Sequence, residues 1–180
     1  TYGSGVNKLL PAYKPFVTIR NNPEDPASLA SDMVFALAFD GPDTLWAGTF
    51  DQGLERIDLA SGKVTHFRSR PDDPDSLSDN FVRAIYRDRT GQLWIGTNKG
   101  LNRLDENTGK FTRYLSSDKD SIPGDRIAAI AEAPNGTLWL GLDREGLCQF
   151  DPVADTFTLY KHDPEQPNSL ADPTIYDLFV

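Results

Sequence analysis

The chain has 180 residues and a formal net charge of −9, and this length is sufficient for one domain with a hydrophobic core. The acidic balance argues against binding to nucleic acid or to an anionic membrane surface, because both require basic side chains. Cys148 is the only cysteine, which excludes a disulfide framework and a cysteine-based metal site. No apolar run approaches the ~20 residues of a membrane-spanning helix, so we expect no direct membrane insertion of this segment.

One unit recurs along the chain and is marked by the sequence Leu-Trp-x-Gly. This motif occupies residues 45–48, 93–96 and 138–141, so the three tryptophans lie 48 and then 45 residues apart. Ser-Leu or Ser-Ile pairs keep similar intervals and begin at Ser28, Ser76, Ser121 and Ser169. A repeat period in this range indicates a solenoid, a propeller or a similar array.

In chain order, the repeat predicts a partial blade, three full blades and one leading strand. The partial blade is residues 1–19, and its outer strand is predicted at 14–19. The full blades are predicted at about 28–67, 76–114 and 121–160, and the leading strand at 174–180. Within the second blade, strands named A to D are expected at 81–86, 92–97, 101–105 and 110–114, because turn residues bound each of them.

These elements predict an all-β fold, a β-propeller segment of four-stranded antiparallel blades. Propellers usually close with about 4–8 blades. The segment is therefore expected either to be part of a larger propeller or to be completed by further copies of the chain. Because unpaired strand edges and uncovered blade faces favour association, we expect self-association.

The side-chain patterns predict how the blades pack. The A strands at 34–39 and 127–131 are nearly continuous apolar runs, so we expect them to be buried on both faces. The tryptophans are expected between adjacent blades, and the glycines two positions beyond them leave room for close backbone approach. The predicted structural core therefore contains Trp46, Trp94, Trp139, Gly48, Gly96 and Gly141.

The segment 76–104 resembles the two-component regulator propeller repeat, through Ser-Leu-Ser-Asp-Asn-Phe-Val-Arg-Ala-Ile-Tyr and Gly-Gln-Leu-Trp-Ile-Gly-Thr-Asn-Lys-Gly-Leu. In that family such repeats usually form seven-bladed propellers. These propellers are the extracytoplasmic sensor part of bacterial histidine kinases, hybrid sensors or diguanylate cyclases, many of which respond to oligosaccharides. The resemblance therefore implies a periplasmic sensor segment that binds an oligosaccharide or another small ligand. Its kinase or cyclase domain would lie outside this chain.

The loops predict where a ligand would bind. In a propeller, the loops that join D to the next A and B to C emerge on one face. The B–C loops vary in sequence while the A–B and C–D turns are repetitive, and variable polar loops on a constant scaffold are where recognition tends to lie. The candidate ligand-binding residues are Tyr2, Asp51, Gln52, Arg83, Asn98, Lys99, Asp143 and Arg144.

The sequence predicts no catalytic residue, no metal site and no cofactor. His66 and His162 fall on or just after outer strands, far from the axis and from each other. Cys148 is expected to be a partly buried thiol. A propeller lyase would need a cluster of His and acidic residues on the central face, which the sequence does not show. A lyase-like enzyme and a purely structural scaffold are the alternatives to a sensor.

Overall fold

The computed structural model describes the backbone of residues 6–9 and 16–179 and the side chains of residues 18–179. Every regular element in these ranges is a β-strand, which confirms the predicted all-β class. The strands are β1 (Val6–Leu9), β2 (Phe16–Ile19), β3 (Val34–Asp40), β4 (Thr44–Thr49), β5 (Leu54–Asp58), β6 (Val64–Phe67), β7 (Val82–Arg87), β8 (Leu93–Thr97), β9 (Gly100–Asp105), β10 (Lys110–Tyr114), β11 (Ile127–Glu132), β12 (Leu138–Leu142), β13 (Gly146–Asp151) and β14 (Thr156–Tyr160).

The strands form three four-stranded sheets and one hairpin. The first sheet is β3-β4-β5-β6, the second is β7-β8-β9-β10, the third is β11-β12-β13-β14, and β1 pairs with β2. All neighbouring strands are antiparallel. Strands A to D of each sheet therefore follow chain order, as the propeller prediction requires.

The turn between A and B in the second sheet is organised by one carboxylate. Asp88 accepts hydrogen bonds from the backbone nitrogens of Thr90 and Gln92, both at 2.9 Å, and from Nε1 of Trp94 at 2.8 Å. Burial raises the pKa of Asp88, but the hydrogen bonds from Thr90, Trp94 and Gln92 together outweigh burial and leave this pKa below its usual value. The turn and the buried indole are therefore joined by a charged acceptor.

Apolar side chains fill the seams between neighbouring sheets. Trp46 lies in the seam between the first and second sheets, where it contacts Phe67 at 5.8 Å between ring centroids. Trp94 occupies the same place between the second and third sheets and meets Phe150 edge-on at 5.6 Å. Both indoles are buried. Each ring adds a large buried apolar area to its seam.

A glycine on strand B lets the next sheet approach closely. A Cβ atom added at Gly96 would lie 2.8 Å from Cβ and Cγ2 of Ile127, the first residue of β11. The same relation joins Gly48 to Val82 and Gly141 to Ile175. The repeated Trp-x-Gly motif therefore places a large ring next to a glycine that has no side chain. The β-branched residue at the strand A position of the next repeat packs on this glycine.

Two predictions about burial were wrong. Trp139 is only half-buried, although it was expected in the core with the other indoles. On β3, Phe35, Leu37 and Phe39 are exposed, with 69% exposure for Phe39, although both faces of strand A were expected to be covered. The cause is the same in both cases. Among the described residues, no four-stranded sheet packs on the face of the third sheet that carries Trp139, or on the face of the first sheet that carries Phe39. The expected self-association through such faces stays a prediction, and a mass measurement in solution tests it.

The leading strand predicted at 174–180 is also corrected. Residues 174–179 form no strand, because the described chain offers no neighbouring strand for a ladder at this position. Val180 lies outside the described residues. The start of the segment is nevertheless placed like a strand A, since Ile175 donates its backbone N–H to Leu142 at 3.1 Å and packs on Gly141.

Candidate functional site

The B–C loops and the residues that precede strand A lie together on one face, which we call the loop face. A backbone hydrogen bond joins them in every sheet. The bonds run from Phe50 N to Met33 O (3.0 Å), from Asn98 N to Phe81 O (3.2 Å) and from Asp143 N to Arg126 O (3.0 Å). The three B–C loops therefore present their side chains to the same side of the molecule.

Three of the predicted ligand-binding residues converge on the loop face. Arg83 on β7 donates from Nε to Asn98 Oδ1 at 2.6 Å. Its Nη2 lies 3.5 Å from Asp143 Oδ2 in the B–C loop of the third sheet. These contacts join an arginine, an amide and a carboxylate from two adjacent sheets into one polar cluster.

Two further predicted residues lie at its edge. Arg144 Nε is 3.9 Å from Asp143 Oδ1, and the Arg144 backbone has a φ of 76°. Lys99 pairs instead with Asp79, at 3.5 Å between Nζ and Oδ2. Both cationic side chains are largely exposed. Arg144 therefore borders the polar cluster, whereas Lys99 is held outside it.

The remaining predicted residues are not brought into the polar cluster. Asp51 is exposed, and Gln52 donates its backbone N–H to Thr49 Oγ1 at 2.9 Å. Neither side chain bonds to Arg83, Asn98 or Asp143. Tyr2 lies outside the described residues.

An aromatic cluster next to Arg83 was missed by sequence reasoning. The rings of Phe35, Phe50 and Phe81 contact one another, with centroid distances of 5.7 Å, 4.8 Å and 4.6 Å. The Arg83 guanidinium carbon lies 4.9 Å from the centre of the Phe81 ring, within cation–π range. The loop face therefore carries a continuous surface of aromatic rings and polar groups. Phe50 in the B–C loop was the available signal, but Phe35 was read as part of a buried apolar strand.

Arg126 is a second residue that the sequence did not single out. Its Nη1 lies 3.6 Å from Asp143 Oδ2, and its side chain is 48% exposed. Arg126 directly precedes β11, in the position that Phe81 holds before β7. The same backbone position therefore supplies an aromatic ring in one sheet and a cation in the next.

The opposite face, formed by the A–B and C–D turns, is joined by ion pairs between sheets. Arg87 contacts Asp40 of the first sheet at 2.5 Å and Glu106 at 2.8 Å. Arg89 contacts Glu132 of the third sheet at 3.1 Å, beside a cleft of about 460 Å³. The loop face is the candidate for ligand binding because the variable B–C loops and the aromatic cluster meet there.

A buried carboxylate lies outside the polar cluster, on the outer strands of the first sheet. Glu55 on β5 is buried, and its Oε2 contacts Nδ1 of His66 on β6. His66 Nε2 lies 2.8 Å from the carbonyl oxygen of Pro26, so this pair fastens the loop before β3 to the sheet. Sequence reasoning missed this acid–histidine pair. The available signal was the acidic residue at the position that Asn102 and Cys148 hold in the other C strands.

Burial raises the pKa of Glu55 to about 7, while the charge and hydrogen bond of His66 and the charge of Arg68 act in the opposite direction. The folded chain therefore holds this proton more tightly than the unfolded chain does. The resulting stability is full below the ordinary pKa of 4.5 and is lost as the pH rises through about 7.

We expect the free energy of unfolding to fall as the pH rises from 4.5 to 7, by up to about 1 kcal/mol per pH unit relative to a Glu55→Gln variant, because the unfolded chain releases a proton that the folded chain keeps. The glutamine keeps the shape of the side chain and removes its titration. Urea unfolding of both proteins at several pH values in this window measures the difference. A difference that stays constant or grows in favour of the native protein as the pH rises contradicts the prediction.

Cys148 is fully buried, so the expectation of a partly buried thiol was wrong. Its side chain lies in the seam between the second and third sheets. Burial raises the pKa of the thiol to about 12. A shielded thiol that resists ionisation is a packing group and not a nucleophile.

Comparison with known proteins supports the assignment of the repeat. Residues 76–99 match the sequence profile of the family described as Two component regulator propeller. A search of curated protein sequences gave no match. None of the described residues forms a helix long and apolar enough to cross a membrane.

Similar solved structures include extracellular sensor domains. The extracellular domain of BT3049 from B. thetaiotaomicron, described as a hybrid two component system, aligns with a TM-score of 0.79 and 25% identity over 89% of this chain and 22% of that chain. The extracellular domain of BT4673 from the same organism, described as a one component system, gives a TM-score of 0.53 and 22% identity over 98% of this chain and 28% of that chain. The chain thus spans roughly a quarter of the length of either domain.

An enzyme is also similar in fold. Virginiamycin B lyase from Staphylococcus aureus aligns with a TM-score of 0.56 and 18% identity over 76% of this chain and 42% of that chain. At this identity the likeness concerns the fold alone. The family match, in contrast, falls on the Leu-Trp-Ile-Gly repeat that organises the second sheet. The chain is therefore a segment of a β-propeller in which residues 76–99 match the two-component regulator propeller repeat.

Proposed function

We propose that this chain is a ligand-sensing segment of a bacterial signalling protein of the two-component type. It lies in the periplasm, binds an oligosaccharide or another small ligand, and passes the signal to a histidine kinase or diguanylate cyclase domain outside the chain. The family match and the similarity to extracellular sensor domains support this class of function.

The surface on the loop face is the observation that carries the proposal. Phe50 is exposed and Phe81 beside it is half-buried, and a surface aromatic ring is the group that stacks on the C–H faces of sugars. Arg83, Asn98 and Asp143 stand beside these rings and supply donors and acceptors for hydroxyl groups. Aromatic faces next to amide, guanidinium and carboxylate groups are the combination that sugar recognition needs.

We propose that the segment binds its ligand without converting it. The polar cluster contains one carboxylate, Asp143, among guanidinium groups and an amide. General acid–base catalysis usually needs a titratable pair placed on opposite sides of the reacting bond. The acid–histidine pair of Glu55 and His66 lies on the outer strands of the first sheet, outside the polar cluster, and its carboxylate is buried.

A thermal-shift screen with an array of oligosaccharides tests the sensor proposal. A ligand at 100 times its dissociation constant should stabilise the protein by about 2.7 kcal/mol. Phe50→Ala should weaken that ligand by about 10-fold or more, since a central aromatic contact is removed. Phe39→Ala is the matched control, because Phe39 is an exposed aromatic residue outside the aromatic cluster.

The outcomes separate the alternatives. Stabilisation that Phe50→Ala reduces and Phe39→Ala leaves unchanged supports a sensor. Turnover of a ligand by the chain without any partner domain supports a lyase-like enzyme instead. No stabilisation by any ligand favours a structural scaffold.

A further inference from the structure

Three arginine side chains gather at one point of the loop face, in a chain whose net charge is −9. Three guanidinium groups surround the single carboxylate of Asp143. The distances are 3.5 Å for Arg83, 3.6 Å for Arg126 and 3.9 Å for Arg144. One carboxylate balances one of these charges, so these four side chains together carry a charge of about +2.

The guanidinium donors in this cluster are not saturated. Strong charge-assisted hydrogen bonds between nitrogen and a carboxylate measure about 2.7–2.9 Å, and all three distances to Asp143 are longer. Among the described residues, the Nη groups of Arg83 and the side chains of Arg126 and Arg144 make no hydrogen bond. Donors of this kind are free to bind an oxyanion.

Arg83 is held in position for such a contact. Its Nε is fixed by Asn98 Oδ1 at 2.6 Å, and its guanidinium lies on the Phe81 ring at 4.9 Å. The side chain is still 21% exposed. A guanidinium that is oriented before binding loses little conformational freedom when it engages a ligand.

We infer that the loop face binds an anionic ligand, whose carboxylate or sulfate group accepts hydrogen bonds from the unbonded guanidinium donors of Arg83 and Arg126 and whose apolar ring face lies against the exposed ring of Phe50. The inference rests on the proposed function and specifies the ligand class of that site. A planar carboxylate or a sulfate matches the forked donors of arginine. The adjacent phenylalanine rings favour an anion attached to a ring, such as an acidic saccharide, over a free inorganic ion.

Calorimetric titration with three saccharides of matched length tests the inference. The probes are tetragalacturonate, a sulfated carrageenan tetrasaccharide and a neutral galactotetraose. We expect at least one anionic probe to bind 10-fold or more tightly than the neutral probe, with affinity that falls as salt is added. Carboxylate binding identifies a uronate-type ligand, and binding of the sulfated probe alone identifies a sulfate ester.

Variants locate the interaction. Arg83→Gln should weaken the bound anionic probe by about 10-fold to 100-fold, because a charged hydrogen-bonding partner is lost. Arg126→Gln provides a second test at a more exposed position, should Arg83→Gln disturb folding. Lys99→Gln is the matched control, since it removes one positive charge from the same face outside the cluster, and it should change the affinity less than 2-fold.

Two results would overturn the inference. If galactotetraose binds and neither anionic probe binds more tightly, the ligand class is wrong while the sensor proposal stands. If an anionic probe binds equally well to Arg83→Gln, Arg126→Gln and Lys99→Gln, the site is wrong. If none of the three probes binds and no oligosaccharide in the thermal-shift screen stabilises the protein, both the sensor proposal and the anionic-ligand inference are wrong.

Discussion

Replacing Trp94 by alanine is expected to lower the free energy of unfolding by about 3–5 kcal/mol. Trp94 is 1% exposed and fills the seam between the second and third sheets. Its ring contacts Phe150 at 5.6 Å and Tyr114 at 6.1 Å. The alanine would leave a cavity that both sheets border. It would also remove the Nε1 donor that Asp88 binds at 2.8 Å, so the variant loses a hydrogen bond as well as packing.

Trp139→Ala is the matched control for this prediction. Trp139 has the same position in its repeat but is only half-buried, with Tyr160 as its ring neighbour at 5.6 Å. Its removal should cost about half as much or less, because less apolar surface is re-exposed and no closed cavity forms. Urea unfolding followed by circular dichroism measures both variants. Equal losses for Trp94→Ala and Trp139→Ala would show that the seams do not hold the sheets together as described.

The repeat made most of the fold predictable from sequence. In the second sheet, the predicted strands agree with β7 to β10 to within about one residue at each end. The reason is that each repeat contains its own turn signals, and three aligned copies locate the strand boundaries better than one copy would. The sequence could not predict which repeat has another four-stranded sheet packed against it. Trp139 and residues 174–179 depart from expectation because burial and strand pairing depend on the adjacent sheet, not on the repeat itself.

The candidate site was predictable only where backbone topology decides it. Arg83, Asn98 and Asp143 converge because B–C loops of adjacent sheets must emerge on the same face. The aromatic cluster was missed since Phe35 lies in an apolar strand, and apolar strands of inner position are usually covered. Whether such a ring packs inward or joins a surface depends on the neighbouring side chains, here Phe50 and Phe81.

Gly100→Ala is expected to lower the free energy of unfolding by about 2–4 kcal/mol. Gly100 begins β9 directly after the B–C turn, with a φ of 101°, a conformation that L side chains rarely adopt. A Cβ at this position would lie 2.2 Å from the carbonyl oxygen of Tyr114. That oxygen belongs to the backbone of β10 and cannot rotate away as a flexible side chain would. The substitution therefore combines backbone strain with a steric clash.

Gly91→Ala separates these two contributions. Gly91 also has a positive φ, 87°, but an added Cβ would meet no atom within 4 Å. Its substitution should cost about 1–2 kcal/mol from backbone strain alone. The excess cost of Gly100→Ala, measured by urea unfolding of both variants, then reports the clash with β10. Since Gly53 and Gly146 make the same approach to Phe67 and Tyr160, at 2.3 Å, a similar excess is expected at each. If Gly100→Ala costs no more than Gly91→Ala, strand D does not pack against the B–C turn as closely as the repeat requires.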